Sequence, residues 1–397
     1  MMRHADHQPG ACHADQPAAV SSASPESRHI SDLDALVATL PAEDKVRFER
    51  IFHLCLADAK LSPPETMRNW LASQFGSVDA VRWQQIVKVT NKVTLEGALF
   101  NALRARRPLQ APPLAENLEE RIDNREGCDF CSPLEHTPAA IFGRIQGRHC
   151  VTASNVAKYD GWHAVIVFDE HHPLLFTADQ VADYLDTSQR WAQRVHEIDP
   201  KACYPFFLWN CLWRSGASIL HGHAQMTLTG DMHYAKVEAW RQAALRYRAA
   251  NDADYFSDLV AVQRGLGLAL DLGTATIFPS LTPFKEKETN IVARQLDDDF
   301  KSALFLVLNT FVERLGVQSF NLALYQPPLG DTPEDWCGFP HMIRIVDRGG
   351  LENSTSDVGA MEFFAQSVIV TDPFRIADAL RAAHASPASG GTGSGTP

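Results

Sequence analysis

This chain has no long apolar run. No stretch of about 18 consecutive apolar residues occurs, so no transmembrane helix is expected. Cysteine is sparse, with 8 in 397 residues spread along the whole length. That excludes a small secreted scaffold held by disulfides. Positive charge is in deficit: 36 Lys and Arg stand against 48 Asp and Glu, a formal net charge of −12. A chain without a basic excess is not a general binder of nucleic acid or of anionic membrane, although a local nucleotide site remains open to it. The first residues, Met1 to about Ser31, lack the apolar core of a signal peptide. Together these absences point to a cytoplasmic protein.

What is present fits a globular enzyme-sized chain. Hydrophobic residues make up 45% and charged residues 21%, so a sizeable core is expected in one large domain or two ordinary ones. Residues 1–30, with His4, His7 and His13, read as a disordered leader, and 386–397 as a flexible Gly/Ser/Thr tail. Residues 31–127 carry a helical pattern, clearest in Asp32–Leu40 and Val46–Leu54; Trp83–Val93 fits a helix or a strand. Strand patterns follow at Ala140–Ile145, His163–Phe168, Phe206–Cys211 and His221–Leu228, with a helix over Thr177–Ile198. Residues 235–268 are again helical. From 269 to 385 the order recurs in weaker form. Ser319–Tyr325 echoes Pro205–Asn210, Pro340–Val346 echoes Leu220–Met226, and Asp297–Leu315 echoes the first helix.

The densest chemistry lies in Ser215-Gly-Ala-Ser-Ile-Leu-His-Gly-His-Ala-Gln225. His221, His223 and Gln225 are spaced by two, which puts them on one face of an extended strand. The small residues Gly216, Ala217 and Ser218 precede them and can offer backbone N–H groups to an anion. Imidazole, amide and an anion-binding loop on one face suit chemistry at phosphorus.

These residues, with Asn210, resemble the His-x-His-x-Gln signature of the galactose-1-phosphate uridylyltransferase branch of the histidine-triad superfamily. That branch also contains dinucleoside polyphosphate and sugar-nucleotide phosphorylases. The resemblance implies an α+β fold of two histidine-triad-like halves with mostly antiparallel sheets and packed helices, plus the helical N-terminal region. The first half, 128–268, would hold the nucleophile and the second, 269–385, would be degenerate. It makes His223 the nucleophile and Gln225 its partner, through a covalent nucleoside-monophosphate–histidine intermediate. Gly222 departs from the proline usual between the two histidines in the transferase. The substrates implied are a nucleotide sugar or a dinucleoside polyphosphate with a phosphate acceptor, as in carbohydrate metabolism. Dimers are common in the family, so a homodimer enters as an expectation.

Cys128-Asp-Phe-Cys131 suits two thiolates on one tetrahedral ion, yet alone it also fits a redox pair or two buried thiols. The resemblance implies a structural zinc (Zn2+) held by Cys128, Cys131, His221 and a histidine of Phe168-Asp-Glu-His-His-Pro-Leu174. His172 is in register there and His171 is the alternative. A second metal is not expected, because Phe339 stands where the transferase has a histidine; His341 remains as a substrate contact or a core residue. Asn155 and Asn210 match nucleotide- and phosphate-contacting asparagines of the family. Arg104, Arg106 and Arg107 are phosphate contacts or a solvated connector, and Lys285 and Lys287 phosphate contacts or a solvated charge run. Two other classes compete with the enzyme: a zinc-stabilised nucleotide-binding protein without turnover, and a thiol redox protein.

Overall fold

The computed structural model describes residues 28–106 and 117–386. The leader through residue 27, the tail from 387 and Arg107 lie outside the described residues.

Nine strands form the central sheet. The first half contributes Cys150–Ser154, Trp162–Phe168, Ala202–Asn210 and His223–Gly230, with the helix Ala178–Ile198 after the second strand. The second half repeats the plan with Ala275–Pro279, Thr289–Ala293, Phe320–Tyr325 and His341–Asp347, and with the helix Asp298–Asn309 in the same place. A short strand, Leu270–Leu272, closes the far edge. All pairings in this sheet are antiparallel, and the halves meet where Ala202–Asn210 pairs with Phe320–Tyr325, Asn210 opposite Asn321. The fold is α+β with two related halves.

Alternation along the strands separates two faces. Phe207, Trp209, Ala224, Met226, Leu322, Leu324, Ile343 and Ile345 enter one core beneath the helices. The helix Ala178–Ile198 starts with a capping box, in which Thr177 Oγ1 accepts from the Gln180 backbone N–H and the Gln180 side chain accepts from the Thr177 N–H. Its Val181, Leu185, Trp191 and Val195 then recur at helical spacing into that core. Trp191 and Trp209 are each 1% exposed, and truncating either to alanine would cost ~3–5 kcal/mol.

The opposite face is covered in pieces. The Cys128–His136 segment covers the outer strands of the first half, with Phe130 on Val151, Ala153, Val165 and Val167. The helices Ala235–Asn251 and Tyr255–Leu266 cover the second half and carry the N-terminal region through a second core that includes Ile51, Val89, Trp240, Tyr255 and Phe339. A cavity stays open between these covers.

Several elements differ from the sequence expectations. The N-terminal region has its helices, Leu33–Ala38 and Ala42–Ile51, but it also has strands. Phe52–Lys60 pairs with Trp83–Asn91, and Gly97–Phe100 and Ser367–Ile369 complete a four-stranded sheet. Phe52, Leu54 and Leu56 alternate with His53 and Cys55, a period-two signal hidden under the helical one that precedes it. Ala140–Ile145 is a turn, with one bridge from Ala140 to Gly143 and Gly143 at φ +90; the strand comes later, at Cys150–Ser154. The strand expected from His221 begins at His223, so His221 sits in the turn before it.

Candidate active site and metal cluster

His223 opens its strand on the face opposite the helix Ala178–Ile198 and is 6% exposed. Its Nδ1 donates to the carbonyl oxygen of His221 at 2.8 Å. The turn at His221–Gly222 folds the carbonyl two residues back against the ring. With Nδ1 carrying the proton, the lone pair lies on Nε2, and no described residue hydrogen-bonds that atom. Burial pulls the imidazolium pKa below its ordinary value against the His221 carbonyl, so the ring is neutral at neutral pH. The Phe130 ring stands edge-on to both histidines, 5.4 Å from His223 and 5.9 Å from His221.

Gln225 follows on the same face. Its Oε1 lies 3.0 Å from His163 Nε2 and 3.4 Å from the Tyr159 hydroxyl. His163 Nδ1 accepts from the Tyr159 backbone N–H at 3.5 Å, which puts the His163 proton on Nε2, donating to Gln225. The amide oxygen is thereby occupied, and its NH2 is left to donate elsewhere. Tyr159 also packs on His163 with ring centroids 3.9 Å apart. Asn155 is beside His163, its Nδ2 3.2 Å from Nε2, rather than at His223. His163 carries this arrangement and was given no role in the sequence reading. Its signal was a polar residue in the apolar run Trp162–Phe168, in register with the face of Gln225.

Asn210, Gly216 and Gln225 line a cavity of about 660 Å³ across the junction of the halves. Gly216 takes φ +93 to end the Trp213–Ser215 turn, a backbone conformation glycine adopts without strain. Ala217 is buried beside it and Ser218 is exposed. Asn210 Oδ1 accepts from Asn321 Nδ2 at 2.6 Å, and the same Nδ2 is 2.8 Å from the Ser215 carbonyl. His341 is elsewhere. It shares the strand face of Ile343 and Ile345, which enter the core beneath the helices, and burial lowers its pKa to about 4.

The cavity's second-half wall is strongly charged. Arg344 donates to Glu288 at 2.6 Å and to Glu96 at 2.7 Å, and lies over the Trp240 ring at 5.0 Å. Burial pushes the Glu288 carboxyl up, against the pull of Arg344, and Glu96 adds to the push. Lys285 and Arg348 line the same cavity. Lys285 is 7% exposed, and Lys287 is paired with Asp347, so this is not a solvated charge run. Arg106 donates to the Phe75 carbonyl at 2.8 Å, closing the end of a helix.

A second cluster lies two residues from the imidazole of His223. Cys128, Cys131, His171 and His221 present ligand atoms all within 4.8 Å of one another. His171 takes the place expected for His172, which instead faces Glu119 at 3.5 Å. The chain leaves the strand at Phe168 and turns, and that turn decides which of two adjacent histidines points inward. His171 and His221 Nδ1 are 3.1 Å apart; Cys131 Sγ is 3.3 and 3.6 Å from them, and Cys128 Sγ is 3.5 Å from His221. A tetrahedral ion with ~2.0–2.1 Å bonds to nitrogen and ~2.3 Å bonds to sulfur spans edges of roughly 3.3–3.8 Å. The outer nitrogens fit as well. His171 Nε2 donates to the Ile122 carbonyl at 2.8 Å and His221 Nε2 to that of Phe168 at 2.7 Å, leaving both Nδ1 lone pairs inward. The four residues could therefore hold a metal ion. Gly222 locks the two turns together: its N–H donates to the His171 carbonyl at 2.8 Å, and a Cβ there would meet Phe168 Cδ2 at 2.8 Å and the Glu170 carbonyl at 3.0 Å.

Neither a family model nor a curated protein sequence matches this chain. Solved structures do. An ADP-glucose phosphorylase from Arabidopsis thaliana, with bound ADP-glucose, aligns over 73% of this chain and 96% of its own at a TM-score of 0.57 and 16% identity. The chain shares the fold of this phosphorylase. A GalT-like protein from Arabidopsis thaliana aligns over 74% of this chain and 97% of its own, with a TM-score of 0.55 and 15% identity. A uridylyltransferase aligns over the same shares at 0.51 and 18%. At these identities the likeness establishes the fold, and the site must be argued from its own residues.

Proposed function

We propose that this protein is a nucleotidyltransferase of the galactose-1-phosphate uridylyltransferase type, passing a nucleoside monophosphate through His223. The observation that carries this reading is the His223 ring: neutral, buried, with Nδ1–H fixed on the His221 carbonyl and Nε2 left as the nucleophilic atom. Nε2 attacks the α-phosphorus of a nucleotide sugar, and the sugar phosphate leaves with the electrons of the broken P–O bond. The Gln225 NH2, aimed by His163, donates to a non-bridging oxygen as charge builds there. Gly216 and Asn210 add polar contacts from the cavity wall. A second phosphate then attacks the phosphorus and restores His223.

Cys128, Cys131, His171 and His221 would hold zinc in a closed set with no open position, a structural ion that stiffens the turn before His223. Phe130, between the two cysteines, keeps the loop against the nucleophile. A sugar-nucleotide phosphorylase, with orthophosphate as acceptor, uses the same first step. The shared cationic wall at Lys285 and Arg348 keeps that reading alongside. An intact nucleophile with its tautomer set argues against a pure binder, and a cysteine pair facing two histidines argues against a redox couple.

Ping-pong exchange tests the reading. Labelled glucose 1-phosphate should enter UDP-glucose or ADP-glucose with no other acceptor present, and His223→Ala should abolish it. Exchange that survives in His223→Ala would end the proposal.

A further inference from the structure

Charge is distributed unevenly along the cavity. At one end Arg344 is matched by two carboxylates, Glu96 and Glu288. At the other, Lys285 and Arg348 line the wall with Arg214 behind them; all three approach Asp357, and Glu286 and Glu362 lie beside Lys285. Arg348 Nε and Nη2 grip Asp357 at 2.8 and 2.9 Å, Lys285 Nζ is 3.8 Å from its Oδ2, and Arg214 Nη2 is 3.9 Å from its Oδ1. The Arg214 Nε is buried with no hydrogen-bond partner among the described residues. Arg104 joins Lys285, Asp357, Glu286 and Glu362 around an adjoining cavity of about 460 Å³.

This cationic end is wired to the transfer site. Arg348 Nη1 donates to Asn321 Oδ1, whose amide nitrogen bonds both Asn210 and the Ser215 carbonyl of the small-residue loop. Asp357 reaches the cations from an irregular segment, 348–359, whereas Lys285 also donates to the Asp357 carbonyl. A bidentate guanidinium with a lysine and a second arginine is the donor set of a phosphate monoester. The matched end, with two carboxylate acceptors and a guanidinium, suits hydroxyls and repels a further phosphate.

We propose that Arg348, Lys285 and Arg214 form the binding site for the phosphate of the acceptor, and that Asp357 occupies it until a phosphate monoester displaces it. This rests on the nucleotidyl-transfer reading and narrows the acceptor to one phosphate at one end and hydroxyls at the other. The Asp357 carboxylate mimics the charge of the ligand it competes with, so removing it strengthens binding.

Inorganic phosphate is the probe, titrated by calorimetry into the full chain. Asp357→Asn should bind phosphate about tenfold more tightly than wild type, and Arg348→Gln about tenfold more weakly. A gain of affinity in Asp357→Asn cannot arise from misfolding. Unchanged or weaker phosphate binding in Asp357→Asn would overturn the proposal. Formation of the His223 adduct from nucleotide sugar is measured on the same proteins. An adduct without the phosphate effect sinks this site and spares the transfer reading; the phosphate effect without an adduct does the reverse.

Discussion

Replacing Gly222 with proline would restore the residue that the resembling transferase signature carries, and the structure says it would do harm. Proline removes the N–H that donates to the His171 carbonyl at 2.8 Å. Leaving that carbonyl unpaired costs ~1–3 kcal/mol. Its Cβ would press on Phe168 Cδ2 at 2.8 Å and the Glu170 carbonyl at 3.0 Å, adding about 1–3 kcal/mol of overpacking. The loss is then roughly 2–6 kcal/mol, a large part of the stability of an ordinary domain. Gly222→Ala suffers the overpacking alone, so it separates the two effects. Chemical unfolding of wild type, Gly222→Ala and Gly222→Pro, with metal content measured on each, is the assay. Gly222→Pro should be the least stable and should hold the least metal. If Gly222→Pro equals Gly222→Ala in both, the hydrogen bond between the two turns contributes nothing and the coupling argument fails.

Other substitutions probe the neighbouring groups. Cys131→Ser should lose bound zinc and, by freeing Phe130 from His223, lower the transfer rate at least tenfold; metal analysis and initial rates check it. His163→Phe removes the donor that aims Gln225 and should lower kcat by roughly tenfold to a hundredfold with little change in KM, since the amide acts on charge formed in the transition state. Acid should destabilise the fold through buried neutral histidines. His233 and His341 have pKa values lowered to about 4 by burial, below the unfolded value of 6.5. The unfolded chain therefore binds more protons between those values, and stability falls as pH drops from 6.5 toward 4, by roughly 3 kcal/mol per histidine at most. His233→Phe should flatten that slope in unfolding curves taken across the window.

The parts that local pattern controls were legible in the sequence. The helix over Thr177–Ile198, the strand patterns of the central sheet, and the echo between Pro205–Asn210 and Ser319–Tyr325 all correspond to elements of the fold. Two kinds of feature were not. Where a turn decides direction, sequence register fails: His171 and His172 are adjacent, and only the path after Phe168 turns His171 toward Cys131. Where partners come from distant strands, nothing local announces them. His163 orients Gln225 across a strand pair, and Asp357 meets Lys285 and Arg348 only after the second half has folded. At Phe52–Lys60 a helical pattern ran into a strand without a glycine or proline to mark the change, so the boundary was missed.

The central claim is that His223 takes a nucleoside monophosphate from its substrate. Intact-protein mass spectrometry after brief exposure to UDP-glucose, ADP-glucose and diadenosine tetraphosphate tests it, with His223→Ala alongside. The account predicts a mass gain of one nucleoside monophosphate on the wild type only, with the size of the gain naming the base. An adduct of equal yield on His223→Ala, or none with any donor while turnover proceeds, would contradict it.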